Sequence, residues 1–93
     1  MKVKVGKCVK FMGLGMMCYG YIIKIIEEKN EVIYIRDNLR VWSVTKSFVE
    51  EGEIITWSDF VDRSTALAEN QNKIPLKENE IMTIIKNVSR EFE

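Results

Sequence analysis

The residues able to do chemistry in this 93-residue chain are few, and their types narrow the choice at once. There is no histidine, so nucleophile systems that rely on an imidazole to take a proton from Ser or Cys are excluded. The two cysteines, Cys8 and Cys18, stand ten positions apart with no CxxC, and a structural zinc ion would need at least two further good ligands. No metal and no cofactor is therefore expected. A Cys8–Cys18 bridge is geometrically open at this stage, but two free thiols are the expectation, because a secreted domain of this size usually carries more disulfides. The paired carboxylates Glu27-Glu28 and Glu50-Glu51 read as turn and rim charges, without a partner that would make an acid and base of them. GLGMMCYG is not a phosphate cradle, since it lacks the Lys-Ser/Thr of such loops and leads into a strand. No catalytic residue is assigned, and the chain is expected not to be an enzyme.

Two binding chemistries remain. Lys2, Lys4, Lys7, Lys10, Lys24, Arg36 and Arg40 alternate with Tyr19, Tyr21 and Tyr34, and cations that neutralise phosphates beside rings that stack bases are what single-strand binders use. Lys7, Lys10, Lys24, Tyr34, Arg36 and Arg40 are the candidate nucleic-acid residues, against the simpler role of strand lysines as guards of exposed sheet edges. The second chemistry is apolar and adaptable: Leu14, Met16 and Met17 with Tyr19 and Tyr21 could dock a protein partner through flexible thioethers and amphipathic rings. The competing role for these methionines is to cap the open end of a barrel.

The elements that must position these groups are legible from periodicity. YGYIIKIIE, EVIYIRD and LRVWSV, separated only by EKN and DN, predict a three-stranded antiparallel meander over Tyr19 to Val44. KVKVGKCVKF alternates through Val3, Val5, Val9 and Phe11, with Gly6 as a break, and predicts a first strand over residues 2–11. A Gly-punctuated loop, MGLGMMCYG, follows it. Strand two is apolar on both faces, so one face is expected to meet a barrel interior and the other to be covered by C-terminal helices. Ile33 and Ile35 are expected to point inward, as are Trp42 and Val44, and Asp37-Asn38 is expected to supply a left-handed turn. TKSFVE should form a helical turn and a brief closing strand through Phe48 and Val49.

In this order, VKVGKCVKF, the Gly-rich loop, GYIIKI, EVIYIRD, RVWSV and SFVE, the chain resembles the SH3-like small barrels of the KOW and Tudor kind over about residues 3–50. The resemblance implies an antiparallel β-barrel and a binding role, to nucleic acid, peptide or protein.

The remainder reads as helix. Thr56-Trp57-Ser58-Asp59 fits a capping box with Ile55 and Phe60 as its staple, opening a helix to about Asn70 that Pro75 stops. Ile81, Ile84, Ile85, Val88 and Phe92 then recur at i, i+3, i+4, i+7 and i+11 on a second helix over 78–92. That stripe packs on the barrel or on a second copy, making the chain a monomer or a homodimer.

The whole is expected to be one α+β domain over 1–93: an SH3-like antiparallel β-barrel at about 2–50 followed by helices at about 57–70 and 78–92. Net charge is zero, but residues 1–46 hold nine Lys/Arg against four Asp/Glu, and residues 47–93 hold five against ten. Such halves can attract one another, a partner, or a nucleic acid. The uncharged run from Phe11 to Ile23 is too short to span a bilayer and is broken by glycines, so no membrane segment and a cytoplasmic location are expected. Twelve isoleucines, many Lys, Glu and Asn, and a single Pro fit a low-GC genome, such as that of a Firmicute or its mobile elements, and size and composition fit a bacteriophage or similar element. The function expected is a protein-docking regulator or inhibitor of a host protein complex, with an RNA- or single-stranded-DNA-binding domain as the alternative.

Overall fold

Apolar residues on both sides of one long strand require two covers, and the fold supplies them. In a computed structural model, which describes residues 3–93, the chain runs β1 (Cys8–Gly13), β2 (Met16–Ile26), β3 (Glu31–Arg36), β4 (Val41–Thr45), α1 (Lys46–Glu50), β5 (Glu53–Ile55), α2 (Trp57–Asn70) and α3 (Glu78–Glu91). A 3-10 turn, Glu27–Lys29, joins β2 to β3. Lys2, part of the expected first strand and basic strip, lies outside the described residues. The strands form one antiparallel sheet in the order β4-β3-β2-β1-β5. The sheet is open rather than closed, because β4 and β5 each pair on one side only and α1 intervenes between them in the chain.

Strand pleating sends alternate residues to opposite faces, and here both faces are buried. The inner face gathers Val9, Phe11, Cys18, Ile22, Val32 and Tyr34, and α1 closes it by lying against β1, β3 and β4 with Val49 fully buried. The outer face gathers Cys8, Ile23 and Ile35 under Phe60 of α2 and Ile81 and Ile85 of α3. A bulge in β2 lets one strand feed both: Ile22 pairs with Tyr34, Lys24 with Ile33, and Ile23 between them has no cross-strand partner, so neighbouring isoleucines enter opposite cores.

Several expectations change. Ile33 and Ile35 face the helices, and Val32 and Tyr34 take the inner positions. Alternation separates two faces but does not name them when both are buried. Val44 does pack on the inner core, whereas Trp42 stands on that side at the rim, 37% exposed. Among the described residues the first strand begins at Cys8 rather than at Val3, since Gly6 at φ +89° turns the chain ahead of it. Phe48 and Val49 are helical, and the last strand comes after Gly52.

The turns also differ from expectation. The Gly-rich stretch is not a loop but a two-residue hairpin turn, Leu14-Gly15, with both residues left-handed (φ 53° and 79°) and Met12 opposite Met17. In the β3–β4 turn the left-handed residue is Leu39 (φ 62°), not Asn38.

The two C-terminal helices form where the sequence places them. The Thr56 hydroxyl accepts the Asp59 N–H at 3.0 Å, and Ile55 and Phe60 meet in the outer core. At the start of α3 the Glu80 carboxylate accepts the Lys77 N–H at 2.9 Å, and Trp57 Nε1–H donates to Glu78 at 2.6 Å, tying the two helix starts together. Val88 and Phe92 pack beside Ile81 and Ile85, so the stripe is used within the chain. Lys24 Nζ donates to the Phe92 carbonyl at 3.0 Å and pins the far end of α3 to β2.

Candidate functional site

The β1–β2 hairpin carries apolar side chains that the core does not use. Leu14 at its tip is 87% exposed, and Met12, Met16 and Met17 around it are between 40% and 54% exposed. Pairing places Met16 on the inner side of the sheet and the Met12–Met17 pair on the outer side, so the tip has thioethers on both faces. On the inner side Met16 meets β3 and β4. The Arg36 guanidinium lies 5.0 Å from the centre of the Trp42 ring and donates to Met16 Sδ at 3.8 Å. Leu14, Met16, Arg36, Trp42 and Val44 thus border a shallow notch of about 30 Å³, floored by Tyr34 and Cys18.

This notch has a rigid base. Tyr34 is buried with its ring edge-on to Phe11 at 5.2 Å, and Gly20 leaves the space the ring occupies, since a Cβ there would collide with it. Burial pushes the Tyr34 phenol up, and the neighbouring Cys18 thiol adds to the effect. The Cys18 thiol faces the Gly13 and Met16 carbonyls at 3.8 and 3.7 Å, bracing the hairpin from within. Both cysteines are free, and because Cys8 lies in the outer core and Cys18 in the inner one, the sheet itself separates them. Burial raises the Cys8 thiol to about 11.

The sequence-derived partner set therefore divides. Leu14, Met16 and Met17 are together and exposed. Tyr19 and Tyr21 lie on the outer face and help seat α2: the Arg63 guanidinium sits 5.0 Å from the Tyr19 ring centre, and Tyr21 meets Trp57 edge-on at 6.3 Å. Arg63 also binds the buried Asp37 at 3.2 Å, joining α2 to the β3–β4 turn.

The basic set is dispersed. Lys7 and Arg40 are exposed; Lys10 pairs with Glu53 at 3.4 Å; Lys24 is committed to Phe92; Arg36 covers Trp42; and Tyr34 is buried, out of reach of a nucleobase. Lys10 and Lys24 project to the helix side of the sheet and Arg36 to the other, so they do not form one strip.

Trp42 and Met12 were not among the expected site residues. Reading Leu-Gly as a two-residue turn would have found Met12 by its pairing with Met17, whereas the approach of Trp42 to Met16 is made across three strands.

Taken together, the molecule is an α+β protein whose open five-stranded antiparallel sheet, backed by two C-terminal helices, presents an apolar hairpin. No helix among the described residues is long and apolar enough to cross a membrane. Comparison with family models, with curated proteins and with solved structures gives no match to this chain.

Proposed function

We propose that this chain is a non-enzymatic protein-docking module, a small cytoplasmic regulator or inhibitor of a host protein complex, built on an SH3-like barrel of the KOW or Tudor kind with two helices added behind it. The strand order supports the barrel part: β1 pairs with both β2 and β5, and a single short helix separates β4 from β5. The observation that carries the docking part is Leu14. A left-handed backbone costs an L-residue with a Cβ roughly 1–2 kcal/mol, and Asn, Asp or Gly is the usual choice at this turn position. Leu14 takes that conformation and leaves its side chain in water as well. Neither cost is offset inside the chain; a partner surface that covers the leucine and its methionines offsets both.

The test is affinity capture from the native host with and without nuclease, using the wild-type chain, the Leu14→Asn/Met16→Ser double variant and the Lys4→Glu/Lys7→Glu double variant, whose two lysines are exposed. Docking predicts capture that resists nuclease and rising salt, is lost in the first variant and is kept in the second. Capture released by nuclease, weakened steeply by salt and lost in the lysine variant would replace this function with nucleic-acid binding.

A further inference from the structure

The sheet has two edges of unlike character. β5 is three residues long, carries Glu53 and passes directly into α2, so little of it is open to another strand. β4 is five residues, Val-Trp-Ser-Val-Thr, with no charge, no proline and four of its five residues exposed. Unguarded edges of this kind are templates for strand addition. The ladder defines which groups are free. Arg36 N–H binds the Arg40 carbonyl and Lys46 N–H binds the Asn30 carbonyl, so by antiparallel alternation Trp42 and Val44 turn their backbone groups toward β3. Val41 and Ser43 turn N–H and C=O outward, and so does the N–H of Thr45.

From this edge we infer that the partner docks by strand addition, laying an extended segment of its own antiparallel to β4, with an apolar side chain opposite Trp42 and a carboxylate opposite Arg40. This rests on the docking function above and specifies its mode. Arg36 pairs with Arg40 and Tyr34 with Trp42, so Arg36, Arg40 and Trp42 share the inner side of the sheet, the side on which Met16 lies. An added strand would therefore present the apolar residue and, two positions on, the acidic residue to one continuous surface. In the register centred on Ser43, a second copy of this chain would set Arg40 against Lys46 in both halves of the dimer. Like charges directly opposite are destabilising.

The probe is the blocked peptide acetyl-Thr-Val-Thr-Leu-Thr-Glu-Gly-amide, its Lys-for-Glu counterpart, and the Glu peptide with the backbone nitrogens of its outer threonines methylated. The readout is amide exchange and chemical shift by NMR on the full chain. Strand addition predicts that the Glu peptide slows exchange at Val41, Ser43 and Thr45, and binds about fivefold tighter than the Lys peptide, the scale of an opposite-charge against a like-charge cross-strand pair. Arg40→Glu should reverse that order, Ser43→Pro should abolish protection, and the methylated peptide should not bind. Ser43→Pro removes an N–H that β3 does not use, and the urea midpoint of that variant verifies that it folds. Shifts confined to Leu14 and Met16 with unprotected β4 amides would overturn strand addition and leave the docking function standing. Protection of β4 without peptide, rising with protein concentration, would overturn it in favour of a second copy. A peptide that moves neither region would remove it outright, and the capture experiment above would then decide the docking function independently.

Discussion

The two faces of the sheet are both apolar but are finished differently. The outer face lies under two fourteen-residue helices, whereas the inner face has one five-residue helix and a rim left open. The same contrast appears in the turns. Leu39 and Leu14 are both left-handed leucines in hairpin turns, but Leu39 packs against the outer core and Leu14 stands in water. Where a strained leucine is buried, packing accounts for it. Where it is exposed, the stability of the isolated chain does not, and that difference separates the covered side of the sheet from the side with an open rim.

The largest expected break falls on the covered side. Phe60 is fully buried between the sheet and α3, and Phe60→Ala removes the side chain that joins both helices to β1 and β3. A loss of about 3–5 kcal/mol is expected from urea unfolding, a large part of the stability of a domain this size. A loss below about 1 kcal/mol would mean that α2 is not a fixed part of the core. On the inner side the sensitive position is a glycine. Gly20→Ala pushes a methyl into the Tyr34 ring, and that ring cannot retreat without losing its edge contact with Phe11, so about 1–3 kcal/mol is expected from overpacking.

A third prediction uses the thiol of the outer core. Burial raises Cys8 from 9.0 to about 11, so the folded state holds its proton more tightly than the unfolded chain does. The stabilisation this gives is complete below about pH 9 and is lost as pH rises through about 11, with Tyr21 and Tyr34, both raised by burial, adding in the same direction. Urea midpoints should be level from pH 7 to about 9 and fall above it, and Cys8→Val should make the fall shallower. Equal slopes in the two proteins would mean that Cys8 is not shielded by the helices.

What could be read from the sequence follows the same division. The helices α2 and α3 were legible to within a residue or so, because capping at Thr56 and the Ile81–Phe92 stripe are local signals that tertiary contacts reinforce. The meander and the helical cover over β2 were legible from its two apolar faces. Which face was inner was not, because Ile33-Tyr34-Ile35 is apolar in both phases, and the bulge at Ile23 that allots the isoleucines to two cores leaves no mark in composition. Of the exposed hairpin cluster, Leu14, Met16 and Met17 were legible as an apolar excess near glycines. The contacts of Tyr19 and Tyr21 with α2 were not legible, since a tyrosine that seats a helix and one that faces outward look alike until Arg63 and Trp57 are placed beside them. Trp42 joined the site only through register.

The smallest effect tests the comparison most directly, because it is expected to have opposite signs in the two turns. Leu14→Asn places beside Gly15 the residue that a left-handed hairpin position accepts, and it removes an exposed apolar side chain that is not packed into either core. The isolated chain should gain about 0.5–1 kcal/mol. Leu39→Asn relieves the same backbone conformation but strips a contact from the outer core, so it should lose stability. Paired urea midpoints decide the matter. If Leu14→Asn also destabilises, the hairpin leucine is serving the fold, and the excess apolar surface at this end of the sheet no longer calls for a partner. If it stabilises while host capture disappears, the strain at Leu14 is maintained for binding, and the cost carried by the free protein is recovered in the complex.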